Sequence, residues 1–238
     1  MSFQLAFHHA LEHGVVSGIV LPDSPDPVPE AVIARLHPKE REHALTLKGY
    51  RQVSFVGGRL AARAAANQLG VMLGATLPDE RGTPVWPSGL TGSISHKRTL
   101  AVALMARDRG HRLGVDLEVY EPARPSIEPR VLTERELADM ADLEGDQRWI
   151  ATVLRFTVKE AIYKAVDPYV RRYVAFHEAE VSPDRRGAAH VELNLANGEG
   201  PFRVEARYAW LHGHVLSTVT IAPGEPLPRP DAKGIDAD

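Results

Sequence analysis

The chain has 238 residues, 44% of them hydrophobic and 25% charged, with a formal net charge of −3. Such a composition suits an ordinary globular protein, one sizeable domain or two small halves sharing a core, and its sign argues against a surface that coats DNA or RNA while leaving room for a local basic pocket. The absence of cysteine excludes disulfides, cysteine-ligated zinc, iron–sulfur clusters and thiol nucleophiles.

Residues 1–20 carry histidines and Glu12 in place of a basic stretch followed by an apolar one, and no apolar run reaches the ~20 residues that span a bilayer. The expectation is a cytoplasmic enzyme or binding protein without membrane or nucleic-acid partners. Residues 15–21 read as a strand ended by Pro22, and residues 22–29 as a proline-rich connector. From about residue 30 to Gly70 the pattern is helical, clearest over 53–69, and Gly70 is a natural stop. Residues 78–92 are loop, and Gly92 to Lys97 continue it up to the next strand. Residues 100–106 and 113–119 read as a strand pair joined by Asp108-Arg109-Gly110. Thr133-Glu134-Arg135-Glu136 is a capping box. A long helix follows over 148–166, closed by Asp167-Pro168. Three β-like runs come next, at 175–181, 190–195 and 202–221, the last turning at His212-Gly213-His214. The rest, from Pro223, reads as a frayed tail. Without a regular βαβ rhythm the fold class is α+β. The expected division is 1–110 as one half, 111–222 as a second half bearing the acidic residues, and 223–238 as a flexible tail.

The chemistry concentrates in Phe156 to Val166. On a helix Glu160 and Lys164 are an i,i+4 pair on one face, with Lys159 beside them. In a strand over Gly114 to Glu118, Asp116 and Glu118 share a face. Three carboxylates and a lysine cluster suit Mg²⁺-dependent chemistry on a phosphorylated substrate. Taken singly, each motif fits a solvated surface equally well: a Glu–Lys pair at this spacing stabilises an exposed helix by ~0.3–0.5 kcal/mol. Ser95 and His96 offer hydroxyl and imidazole groups to phosphate oxygens. Arg59 and Arg63 form a like-charge i,i+4 pair that calls for an anion between them; Arg51 and Arg81 add to the basic set. His212 and His214 are a metal pair lacking a third ligand, and turn-adjacent polar residues are the better reading.

Taken in order, the segments 51–63 (RQVSFVGGRLAAR), 81–96 (RGTPVWPSGLTGSISH), 114–118 (GVDLE) and 156–164 (FTVKEAIYK) resemble the Sfp/EntD-type 4′-phosphopantetheinyl transferases. The resemblance implies two similar α+β halves packed as a pseudo-dimer, with the site in the cleft between them. It also implies transfer of the 4′-phosphopantetheine arm of coenzyme A to a serine of an acyl, peptidyl or aryl carrier protein, with release of adenosine 3′,5′-bisphosphate. Asp116, Glu118 and Glu160 match the family's acids for Mg²⁺ or Mn²⁺, and Glu160 also matches the base, acting directly or through water. Lys164 and His96 match positions that hold the pyrophosphate, and Lys159 one that holds phosphate or orients Glu160. Arg51, Arg59 and Arg81 match positions gripping the coenzyme's phosphates, with Thr83, Pro84 and Ser95 lining the same region. Phe156 stands where many members have tryptophan, and Lys97 where a small residue follows the histidine. Arg124, Arg130 and Arg135 are candidates for docking an acidic carrier, and internal duplication implies a monomer. The competing expectations are a metal-dependent phosphohydrolase acting on the same pyrophosphate and a non-catalytic coenzyme A-binding module.

Overall fold

A computed structural model describes residues 3–211 and 213–224 of the protein. The first half forms a four-stranded antiparallel sheet from β1 (Leu5–Leu11), β2 (Gly14–Val20), β3 (Leu90–His96) and β4 (Leu100–Arg107), in the order β1-β2-β4-β3. Between β2 and β3 lie α1 (Glu30–Ile33), α2 (Pro38–Thr46) and α3 (Gly49–Gln68). The second half carries β5 (Arg112–Val119), then α4 (Glu128–Val131), α5 (Glu134–Asp139) and α6 (Gly145–Val170). Then come β6 (Ala179–Pro183), β7 (Ala188–Leu193), β8 (Phe202–Leu211) and β9 (His214–Pro223), in a sheet ordered β5-β9-β8-β7-β6. The α+β class holds.

Three apolar layers stack these parts. Helix α3 buries Val53, Val56, Leu60 and its alanines against the first sheet. Close approach is possible because Gly57 and Gly58 lack side chains: a Cβ on Gly57 would lie 2.1 Å from Leu21 Cδ2, and one on Gly58 2.8 Å from Ile94 Cγ2. Helix α6 buries Val153, Val158, Ile162 and Val166 against the second sheet. The opposite faces of the two sheets meet in the middle. There Val16, Val102 and Leu104 pack with Leu113, Val115, Leu117 and Leu216. Each sheet is thus clad by its own long helix on the outside and by the other half on the inside.

Several expectations are corrected. Strands β4 and β5 exist but do not pair. Strand β4 lies between β2 and β3, and β5 pairs with β9, so the Asp108–Gly110 turn links two sheets rather than a hairpin. Gly92 to His96 is strand, not loop, because its Ser93 and Ser95 face the other half while Ile94 faces α3. Strand β1 was not anticipated; its half-exposed pattern with two histidines hides the alternation. Helix α6 runs beyond residue 166 through Pro168, which is tolerated in the final turn, and ends with Arg171 in the left-handed region at φ 50°. The capping box at Thr133 and Glu136 forms as read. Pro223 closes β9, while residues 225–238 of the expected tail, and His212, lie outside the described residues.

Candidate active site

The two halves join along β3 and β5. Strand β5 is an edge strand, so on its open side the amides of Val115 and Leu117 lack a partner strand. Two serines of β3 take that place: Ser93 Oγ accepts from Val115 N at 3.0 Å and Ser95 Oγ from Leu117 N at 3.3 Å. Ser95 Oγ also donates to Asp116 Oδ1 at 2.8 Å. Gly114, Asp116 and Glu118 lie on the face of β5 turned to α6. At Gly114 the helix comes so near that a Cβ would lie 1.8 Å from the Ala161 carbonyl oxygen. This contact sets β5 directly against the turns of α6 that carry Glu160 and Lys164.

Asp116 and Glu118 are buried, at 5% and 4% exposure, and each is held by a cation. Lys164 Nζ lies 2.7 Å from Asp116 Oδ1 and donates to the Val115 carbonyl at 3.0 Å. Lys97 Nζ lies 2.5 Å from Glu118 Oε1, and Arg124 Nη2 3.4 Å from Glu118 Oε2. Asp116 Oδ2 is buried with no hydrogen bond among the described residues. Glu160 is half-buried, and burial, then the neighbouring Asp116, hold its carboxyl above the usual range against the pull of Lys164. No group of three or more His, Cys, Asp and Glu side chains is drawn together as a metal cage among the described residues. The chemistry of the donors nevertheless fits a hard divalent cation: carboxylate oxygens, an orphaned buried oxygen on Asp116, and a third acid whose ionisation the other two disfavour.

His96 closes β3 beside this cluster; desolvation, then Lys164 and Lys97, lower its imidazole pKa. A groove of about 370 Å³ runs from His96 and Lys97 to Arg51 and Arg98. Across the seam, a cavity of about 210 Å³ is lined by Arg81, Thr83 and Pro84 from the first half and by Tyr163, Lys164 and Asp167 from α6. Asp79 Oδ1 shapes this loop by accepting from the amides of Arg81 and Thr83 at 2.9 and 2.8 Å, and Arg81 Nη2 reaches Asp167 Oδ1 at 2.5 Å. Asp167 was missed in the sequence, where it read only as a helix stop.

Other residues are placed elsewhere. Lys159 turns away from Glu160 into the protein, donating to Glu136 Oε2 at 2.6 Å and to the Val131 carbonyl at 2.8 Å. A phosphate contact expected for it is not what this geometry provides. Arg59 is buried; its Nε donates to the Thr76 carbonyl at 2.9 Å and its guanidinium lies 4.2 Å from the Phe55 ring centroid. Burial lowers its pKa to about 10, opposed by Glu40. The anion that the Arg59–Arg63 pair calls for is Glu40, whose Oε2 lies 2.5 Å from Arg63 Nη2. Of the docking candidates, Arg124 is spent on Glu118 and Arg135 on Glu180 and Glu192 at 3.2 and 3.4 Å.

Comparison with known proteins identifies the family of the chain. The family described as 4′-phosphopantetheinyl transferase N-terminal domain matches residues 40–106, and the 4′-phosphopantetheinyl transferase superfamily matches residues 112–219. The chain is 32% identical to the 4′-phosphopantetheinyl transferase Svp of Streptomyces mobaraensis over 82% of either chain. It is 31% identical to Npt of Nocardia iowensis, over 79% of this chain and 90% of that one. With enterobactin synthase component D of Salmonella typhimurium it shares 32% identity, over 61% of this chain and 59% of that one. A solved holo-(acyl-carrier-protein) synthase from Bacillus anthracis aligns with 47% of this chain and 96% of its own, at 23% identity and a TM-score of 0.39. The chain belongs to the 4′-phosphopantetheinyl transferase superfamily and is an enzyme of that kind.

Proposed function

We propose that this enzyme moves the 4′-phosphopantetheine arm of coenzyme A onto a serine hydroxyl of an apo acyl, peptidyl or aryl carrier protein, as a cytoplasmic monomer. The observation that carries the reading is the seam itself. Asp116 is held by Ser95 from one half and by Lys164 from α6, while Glu160, the acid with the raised pKa, stands in the field of the same carboxylate.

In this reading Asp116, Glu118 and Glu160 hold Mg²⁺ or Mn²⁺, which when bound screens charge on the pyrophosphate. Glu160 accepts the proton of the carrier serine, directly or through water. The serine oxygen bonds to the phosphorus bearing the pantetheine arm. The bridging P–O bond breaks, and adenosine 3′,5′-bisphosphate leaves with the electron pair. Lys164 and His96 stabilise the charge on the leaving phosphate. Arg51 and Arg81 are assigned to the coenzyme's phosphates, with Thr83, Pro84 and Ser95 shaping the wall, while Arg59, buried on Thr76 and Phe55, supports the helix that carries Arg51. Lys159 is assigned no contact with phosphate; it anchors α6 to Glu136 and the Val131 carbonyl.

Intact-protein mass spectrometry tests this. The enzyme is incubated with coenzyme A, Mg²⁺ and a panel of apo-carriers drawn from fatty-acid, polyketide and peptide or siderophore assembly, with EDTA and Glu160→Ala controls. A gain of one phosphopantetheine on a carrier, abolished in both controls, is the expected result. Coenzyme A consumed without any gain would make the protein a hydrolase. Coenzyme A bound but intact across the panel would make it a binding module.

A further inference from the structure

Lys97 stands where two regions of opposite charge meet. On one side its ammonium is 2.5 Å from Glu118 Oε1, with the side chain 30% exposed. On the other, the same residue borders the groove that holds Arg51, His96 and Arg98. Arg98 is itself anchored there, its guanidinium 3.9 Å from the Tyr50 ring centroid and 3.6 Å from Asp23. A lysine turned toward Arg51 and Arg98 faces like charge, only partly offset by Asp23, and Glu118 is its better partner. An anion in the groove reverses that balance. Lys97 occupies Glu118 Oε1 and Arg124 lies 3.4 Å from Oε2, so a divalent cation reaching Glu118 competes with these side chains for the carboxylate's lone pairs, and the closer lysine is the stronger competitor.

We propose that Lys97 is a displaceable internal counter-ion of Glu118, coupling divalent-cation binding at the acids to phosphate binding in the Arg51–Arg98 groove. The proposal rests on the transferase reading, in which that phosphate belongs to coenzyme A. In the free enzyme Lys97 weakens metal binding; phosphate in the groove draws Lys97 off and uncovers Glu118. Linkage makes the effect reciprocal, so bound metal also tightens phosphate binding by the same factor. The free enzyme then holds little metal, and substrate and metal load together.

Calorimetric titration of the full chain tests this. Mn²⁺ and adenosine 3′,5′-bisphosphate are each titrated with and without the other, for wild type, Lys97→Gln and Lys97→Ala. Circular dichroism verifies that the variants are folded. The expected result is that Mn²⁺ alone binds the variants about fivefold tighter than wild type, as loss of one partly exposed ion pair allows. The mutual tightening by the two ligands shrinks by the same factor. Mn²⁺ affinity and coupling equal to wild type in both variants would overturn the proposal while leaving the transferase reading intact. So would weaker bisphosphate binding with unchanged metal binding, which makes Lys97 a plain phosphate ligand. A wild-type chain that binds neither ligand would overturn the transferase reading as well.

Discussion

Lys159 and Glu160 are sequence neighbours whose side chains leave α6 in different directions, and burial decides what each one does. Glu160 reaches the seam, whereas the Lys159 and Glu136 side chains are 1% and 2% exposed and pair at 2.6 Å. Removing the ammonium leaves a desolvated carboxylate without its ion-pair hydrogen bond, held by the amides of Thr133 and Val181 and the more distant Arg155. Lys159→Met should therefore cost about 3 kcal/mol of stability, as breaking one partner of a buried pair does. The KM for coenzyme A of the folded enzyme should stay near that of wild type. Chemical denaturation and steady-state kinetics measure the two, and a raised KM at unchanged stability would return Lys159 to the phosphate site. The sequence could not separate these roles, because a lysine beside a glutamate reads the same whichever side of the helix it leaves. Glu136 was visible only as the closing glutamate of a capping box. Asp116, Glu118, Glu160 and Lys164 were legible for the opposite reason: strand alternation and i,i+4 spacing fix their faces from local geometry alone.

At the scale of elements, two contacts hold α6 in place, and each is testable. The first is its approach to β5 at Gly114, where a methyl group would overlap the Ala161 carbonyl oxygen. Gly114→Ala must push helix and strand apart, at a cost of about 3 kcal/mol or more, and separates Asp116 from Glu160 in doing so. Reduced thermal stability together with reduced turnover in the folded fraction is expected; wild-type values of both would show that the contact yields freely. The second lies just past the helix end. Arg172 donates to Glu178 and Glu199, and Glu178 also accepts from the amides of Ala175 and Ala196. The guanidinium, as the largest influence, holds the carboxyl pKa of Glu178, and likewise that of Glu199, down to about 2 from 4.5. A depressed carboxylate adds stability above its unfolded pKa and loses it as pH falls through the folded one. Wild type should thus lose stability between pH 4.5 and about 2, and Arg172→Ala should show a flatter curve there in urea titrations. Equal slopes would remove the clasp from the account. Most of these elements could be read from periodicity and caps. Their partners could not: β4 and β5 adjoin in sequence through a good turn, yet Val102 and Leu104 face Val115 and Leu117 across two sheets instead of pairing along one.

The whole molecule behaves as two halves only in pattern. The order of the motifs implied duplication, and each half does present one sheet and one long helix. What the motifs left open is how much the halves need each other, since that depends on the unshared face of each sheet. Those faces form one layer, with Val16, Val102, Leu104 and Ala106 on one side and Leu113, Val115, Leu117 and Leu216 on the other. Each of these valine and leucine side chains is worth ~1.5–3 kcal/mol when fully buried, so exposing the layer removes an amount comparable to the ~5–15 kcal/mol that keeps a domain folded. Separation also strips Val115 and Leu117 of their serine acceptors. Residues 1–110 and 111–238 expressed apart should therefore show no cooperative unfolding transition. The intact chain should show one, with calorimetric and van't Hoff enthalpies equal. Because the seam supplies Ser95 from one half and Asp116, Glu160 and Lys164 from the other, transferase activity should vanish at the same urea concentration as the structure. Two resolved transitions in the intact chain, or an isolated half that folds, would make the junction near residue 110 a true domain boundary and the central layer a docking surface between independent units.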